Sequence, residues 1–223
     1  GLDEVVRHEK TFGFGGSIPL DKALGDEVLL AFEMNGKPLL PTHGFPIRAV
    51  VAGFIGARSV KWLSTITLQT ETSDNYFQQH AYKLFPSNIN ATNVDWTTGA
   101  MLGEQSLTSV ICSPAKNSKI NDKNVTINGF AIAGGGRKIE RVEISNDNGA
   151  TWKTTDLENN KDEKAWAWTF WQTQIELPRG EHEICVRAFD SASNTQPENA
   201  ANLWNFKGYM NNAWHRVKFE VVE

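Results

Sequence analysis

His43 and Arg48 frame the short motif HGFPIR, and Ser59, Val60 and Lys61 follow in GFIGARSVKW, Gly53 to Trp62. Arginine's planar fork can clasp a phosphate through paired hydrogen bonds, whereas lysine contributes a point charge. Gly56 and Ala57 leave backbone N–H groups accessible, and successive amides of that kind can form an anion-binding concavity. A histidine beside Gly44 can reach a ring heteroatom or a phosphate where the backbone needs room. The chemistry these residues could do together is to hold a phosphorylated, heteroatom-rich ligand. By residue type alone, a surface arginine, a turn-capping histidine and an ion-paired Arg58 fit equally well.

Two further positions carry groups able to bond to or charge-pair with a ligand. Tyr82, in QHAYKLFP, carries a phenol able to donate a hydrogen bond to a substrate oxygen and to help move a proton; without a partner in view it reads as an interdomain anchor. Lys207, in WNFKGYMNNAWHR, offers positive charge without arginine's fork. Trp166 and Trp168 share one face of an expected strand and Trp171 falls on the other, which suits a sandwich core or a subunit interface better than a sugar platform. His182, in the polar GEHE, is expected to face solvent. There is no His-x₃-His, CxxC or carboxylate cluster to hold a metal, and no Ser-His-Asp set can be assembled.

These residues need elements to position them, and the chain supplies three sections. From Gly1 to Tyr82, loops alternate with short apolar strands: Pro19 opens a short helix in GGSIPLDKAL, Val28–Gly36 is a strand or short helix ending in an Asn35-Gly36 turn, and Ala49–Ile55 is an apolar strand buried on both faces. Residues 84–106, rich in Asn, Thr and Gly, read as a surface connector that Trp96 pins to a neighbouring domain. From Leu107 onward, short alternating strands are spaced by turns, with alternation at Val125 and Ile127 and then at Phe130 and Ile132. Val142 and Ile144 point inward before an Asn148-Gly149 hairpin. This predicts a mainly β chain with some α/β character, 107–223 forming an antiparallel sandwich of immunoglobulin-like type.

Composition sets outer limits. The 223 residues carry a net charge of −4, which argues against a nucleic-acid surface, and no apolar run has the length of a membrane span. Cys112 and Cys185 are the only cysteines, so a disulfide scaffold is excluded and both read as structural thiols. The sequons at Asn90 and Asn124 are read as chance occurrences. The first residue is Gly1, and the chain is expected to be a processed product or a fragment.

HGFPIR, GARSVKW, AGGGRKIERVEISNDNGATW, KAWAW, NTQPEN and NAWHRV occur in this order between Phe14 and Val221. This series resembles the sulfite oxidase and assimilatory nitrate reductase family of molybdopterin enzymes. The resemblance implies that 1–83 is the C-terminal part of a molybdopterin domain and 107–223 an Ig-like dimerisation domain. It implies a Mo-molybdopterin cofactor contacted by His43, Arg48, Ser59, Val60 and Lys61, with Tyr82 and Lys207 as catalytic residues. Tyr82 favours sulfite, oxidised to sulfate, over nitrate. Lys207 departs from the arginine usual in sulfite oxidases, while Asn211-Asn212 also occurs in nitrate reductases. The family's molybdenum-ligating cysteine lies upstream of these motifs, so this chain is expected to be inactive alone. The resemblance further implies a homodimer, sulfite or a related small oxyanion as substrate, cytochrome c or oxygen as electron acceptor, and room for a haem on another domain. It points to the mitochondrial intermembrane space, with peroxisomes and bacteria as alternatives. A nitrate reductase and a non-catalytic Ig-like association module are the competing readings.

Overall fold

The computed structural model describes residues 1–7, 10–158 and 165–222; Lys164 of KAWAW lies outside them. The chain forms two compact units, Gly1–Glu104 with Asn205–Tyr209, and Gln105–Trp204 with Met210–Glu223.

The first unit is built of short pieces. Strands β1 (Glu4–Arg7) and β2 (Lys10–Gly13) pair antiparallel, and the one-turn helix α1 (Leu20–Ala23) is entered through Pro19, as its fixed φ favours. Strand β3 (Val28–Ala31) is followed by β4 (Glu33–Met34) and β5 (Lys37–Pro38), a hairpin whose loop residues Asn35 and Gly36 take φ of 55° and 71°. The stretch expected as one strand or helix is therefore two strands. Strand β6 (Arg48–Val51) pairs antiparallel with β3. The apolar run expected to continue to Ile55 stops at Val51, because Gly53 takes φ 78° and turns the chain. Nor is this a strand buried on both faces: among the described residues β6 pairs only with β3, whose Leu29 and Leu30 stay half exposed. A π-helical turn, Phe77–Ala81, leads into β7 (Lys83–Leu84), which pairs with β8 (Ala100–Met101). The expected connector thus supplies buried Phe85 and Leu102 to this unit.

The second unit is a sandwich. Strands β9 (Thr108–Ser113), β10 (Lys119–Ile120), β11 (Asn124–Ile132), β12 (Ile139–Ser145), β13 (Lys153–Thr154), β14 (Asp156–Glu158), β15 (Thr169–Glu176), β16 (Gly180–Asp190) and β17 (His215–Val221) make two sheets. One has the order β10-β17-β16-β12-β13, the other β14-β15-β11-β9, and all pairings except β10 with β17 are antiparallel. Val125, Ile127, Val142, Ile144, Trp171, Ile184 and Val186 fill the core; burying each such side chain contributes ~1.5–3 kcal/mol.

Strict period two along β11 puts Val125, Ile127, Gly129 and Ala131 inside. Phe130 and Ile132 therefore face the side opposite to Val125 and Ile127. Gly129 is opposite Trp171, and a Cβ there would lie 2.5 Å from the indole and 1.9 Å from the Val110 carbonyl oxygen. A large ring is accommodated by the absence of a side chain across from it.

The turn between β12 and β13 is wider than the expected two-residue hairpin. Asp147 organises it, accepting hydrogen bonds from Ser145 Oγ (2.6 Å), Thr151 N (2.8 Å) and the Thr151 hydroxyl. These bonds hold the Asp147 carboxyl down at a pKa of about 2. His182 lies on β16, half-buried and 2.7 Å from Pro178 O, and not in a solvent-facing turn.

Candidate functional site

The candidate residues of the first unit fall in two clusters. In the first, backbone bonds Ala49 N→Val60 O (2.8 Å) and Leu63 N→Ile47 O (2.9 Å) lay the GARSVKW segment alongside β6. Arg48 Nη2 then donates to Ser59 O (3.1 Å), Nη1 to His43 O (3.3 Å) and Nε to Ala49 O (3.3 Å). Ser59 Oγ accepts from Val51 N (3.0 Å), while Lys61 Nζ donates to Thr42 O (2.9 Å) and sits 4.6 Å from the Trp62 ring centroid. His43, Arg48, Ser59 and Lys61 are half-buried and Val60 is buried. All five expected cofactor residues are thus drawn together.

Gly44 is the point of closest approach. It has φ 103°, and a Cβ there would lie 3.0 Å from Lys61 Cβ and 3.2 Å from Arg48 Cβ. The two cationic stems therefore converge over a residue that has no side chain. Among the described residues neither Arg48 nor Lys61 has a carboxylate partner, and their donors rest on backbone carbonyls alone. Such a pair of cations leaves net positive charge available to an anion.

The second cluster surrounds Tyr82. Its ring lies 5.6 Å from that of Tyr209 and 6.4 Å from that of Phe77. Lys207 Nζ lies 5.5 Å from the Trp96 centroid and 5.8 Å from the Tyr209 centroid, so its charge rests on aromatic faces. Lys207, too, has no carboxylate partner among the described residues. The late segment 205–209 is held in shape by buried Asn205, whose Nδ2 donates to Tyr209 O (2.9 Å) and whose Oδ1 accepts from Tyr209 N (3.3 Å). Trp96 stacks on His80 at 3.7 Å and meets Phe85 and Phe206 edge-on, all within the first unit. Trp96, in the stretch expected as a connector, therefore packs against His80 of the section that precedes it.

Arg58 joins the clusters. It is 4% exposed, with Nε and Nη2 both donating to Leu102 O (2.9 and 2.6 Å), and Leu102 N in turn donating to Tyr82 O (2.9 Å). Burial lowers the guanidinium pKa from its ordinary value, and the Tyr82 hydroxyl opposes that shift. Among the described residues its partners are backbone carbonyls, not the carboxylate of an ion pair. Buried Lys83 acts similarly: Nζ donates to Trp96 O (2.8 Å) and Thr98 O (3.1 Å), fixing the loop that supports Lys207. Sequence reasoning did not single out Lys83, Asn205 or Tyr209 as site residues; Tyr209, two residues after Lys207, was the one signal present. His215 belongs to the second unit, where its Nδ1 accepts from Ile111 N (3.1 Å). Burial lowers its pKa, keeping the ring neutral as that acceptor role requires.

Comparison with known proteins agrees with this layout. Residues 100–222 match the family model for a Mo-co oxidoreductase dimerisation domain, and residues 1–77 that for an oxidoreductase molybdopterin binding domain. Mitochondrial sulfite oxidase of Macaca fascicularis is 42% identical over 215 residues, covering 94% of this chain and 39% of the relative. Nitrate reductase [NAD(P)H] of Hordeum vulgare is 40% identical over 222 residues, covering 92% of this chain and 24% of the relative. Among solved structures, the sulfane dehydrogenase SoxCD of Paracoccus pantotrophus superposes with a TM-score of 0.75 at 28% identity, over 89% of this chain and 50% of that one. The chain therefore spans well under half the length of the curated relatives named here. No helix among the described residues is long and apolar enough to cross a membrane.

Proposed function

Because the chain belongs to the molybdenum-cofactor oxidoreductases of the sulfite oxidase type, we propose that it supplies cofactor contacts, substrate contacts and the dimerisation domain of a sulfite-oxidising enzyme. The observation that carries this reading is the convergence of Arg48 and Lys61, neither carboxylate-paired, over Gly44. A phosphate-bearing pterin fits these residues: the cradle is cationic, a Cβ would fill it, and His43 Nδ1 is buried without a protein partner.

In this reading Arg48 and Lys61 neutralise the cofactor's phosphate, with the Ser59 and Val60 backbone completing the wall and His43 bonding the ring system. The bound cofactor would supply the two-electron redox centre for sulfite plus water going to sulfate, protons and electrons. Lys207, preset against Trp96 and Tyr209, attracts the dianionic substrate as a point charge, not a fork. Tyr82 donates a hydrogen bond to a substrate oxygen, its environment kept electropositive by Arg58. A haem on another domain with cytochrome c beyond it, or oxygen, would take up the electrons. The mature enzyme is a homodimer of the mitochondrial intermembrane space.

The test is made on the full-length protein. Molybdenum content by elemental mass spectrometry is expected to fall in Arg48→Ala, while Tyr82→Phe retains the metal and loses kcat by about 10²-fold. Holoenzyme that turns over nitrate and leaves sulfite untouched would establish the nitrate reductase reading instead. Full metal content in Arg48→Ala would remove the phosphate-binding role.

A further inference from the structure

Residues 205–209 form a closed turn within the first unit. Gly208 N donates to Asn205 O (2.9 Å), while the Asn205 side chain holds both the N–H and the carbonyl of Tyr209. Gly208, at φ 69°, reverses the chain between Lys207 and Tyr209; a Cβ there would meet nothing within 4 Å, so conformation and not space is what the glycine serves. The reversal brings the two flanking side chains together. Lys207 Nζ lies 5.8 Å from the Tyr209 centroid, with the Trp96 centroid 5.5 Å away on another segment. An ammonium on a flexible four-carbon stem has a fixed place only where its surroundings hold it, and ring faces within about 6 Å attract it. The Tyr209 ring also lies 5.6 Å from that of Tyr82, inclined at 30°. One ring thus backs both groups assigned above to the substrate.

We infer that Tyr209 is a positioning residue whose ring face, rather than its hydroxyl, holds the Lys207 ammonium in place for a dianionic oxyanion. The inference rests on the reading of Lys207 as a substrate contact and adds the residue through which that contact is preset. Holding the cation before the substrate arrives lowers the ordering cost of binding. The neighbours do not depend on Tyr209 in the same way. Trp96 is fixed by its stack on His80 (3.7 Å) and by Phe85. Tyr82 keeps Phe77 at 6.4 Å and the bond from Leu102 N to its own carbonyl (2.9 Å). Removing the Tyr209 ring therefore releases the cation and leaves the Tyr82 phenol where it is, so the loss falls on substrate binding and not on the chemical step.

The experiment uses the full-length holoenzyme and steady-state sulfite kinetics. Tyr209→Leu should raise KM by ~3–10-fold, the range of a cation–π contact, with kcat within about twofold of the parent. The conservative Tyr209→Phe retains a π face and should rescue, holding KM within about twofold. Placed in a Lys207→Met background, Tyr209→Leu should have no further effect, because the group it positions is gone. An unchanged KM in Tyr209→Leu, equal rises in Tyr209→Leu and Tyr209→Phe, or a Tyr209→Leu effect undiminished in Lys207→Met overturns the positioning role and leaves Lys207 in the substrate site. A KM unaltered by Lys207→Met overturns that assignment and the inference with it. A second readout needs neither turnover nor a folded Tyr209 variant. In isotopically labelled wild-type protein, the Lys207 ε-methylene protons, assigned by their loss in Lys207→Met, should be shifted upfield by the ring currents of Trp96 and Tyr209. Unshifted resonances overturn the inference.

Discussion

Replacing Gly44 by alanine probes the anion cradle directly, with Gly36→Ala as its reference. Both glycines have positive φ, 71° at Gly36 and 103° at Gly44, but a Cβ at Gly36 meets nothing within 4 Å. Gly36→Ala should therefore cost only the left-handed conformational penalty, ~1 kcal/mol. At Gly44 the new methyl group lies 3.0 Å and 3.1 Å from Lys61 Cβ and Cγ and 3.2 Å from Arg48 Cβ, so both stems must move by a few tenths of an ångström. Adding an overpacking cost of ~1–3 kcal/mol brings the expected total to ~2–4 kcal/mol. With a urea m-value of about 2 kcal/mol/M, the two variants should differ by ~1 M in midpoint. The same displacement separates the cations, so affinity for inorganic phosphate should fall by ~10-fold, equivalent to ~1.4 kcal/mol, in Gly44→Ala alone. The Trp62 indole N–H, which donates to Pro41 O at 2.9 Å beside Lys61, provides an NMR signal for the titration. Equal destabilisation by the two substitutions, or undiminished phosphate affinity in Gly44→Ala, would refute the close-approach argument.

Three other outcomes follow from the same structure. Gly129→Ala should prevent native folding of the second unit, costing more than ~4 kcal/mol since Val110 O and the Trp171 ring occupy the Cβ position; near-UV circular dichroism would show loss of the ordered tryptophan signal. His215 has a folded pKa lowered by burial, so the unfolded chain takes up its proton first, near pH ~6.5. Its contribution to stability is whole above that pH and is lost as pH falls through the folded pKa; urea midpoints at pH 7.5 and 5 should differ less in His215→Gln than in the parent. In the full-length holoenzyme, Lys207→Arg should lower the KM for sulfite and Lys207→Met raise it by ~10-fold or more, measured by steady-state kinetics. An unchanged KM in both would remove Lys207 from the substrate site.

What the sequence determined by itself is local and periodic. The inward positions of Val142 and Ile144 and the sandwich of the second unit were legible because a pleated strand alternates its side chains whatever surrounds it. The Asn35-Gly36 turn was legible for a similar reason, since few other pairs accept two positive φ angles. The cradle residues could be named from HGFPIR and GARSVKW through the family resemblance those motifs carry, since residue type alone left a surface arginine and a turn-capping histidine equally open. Only the tertiary structure decided which carbonyls Arg48 and Arg58 hold, and that Gly44 is where the cationic stems meet. It alone brought residues 205–209 back to the first unit, setting Tyr209 against Tyr82 and Lys207 against Trp96 across more than a hundred positions of chain. Such juxtapositions depend on loop closure and on which surfaces exclude water, and these have no short-range signature. The register of β11 shows the same division: alternation was visible, but Gly129 had to face Trp171 before it was clear which residues were inside and that Phe130 lay outside.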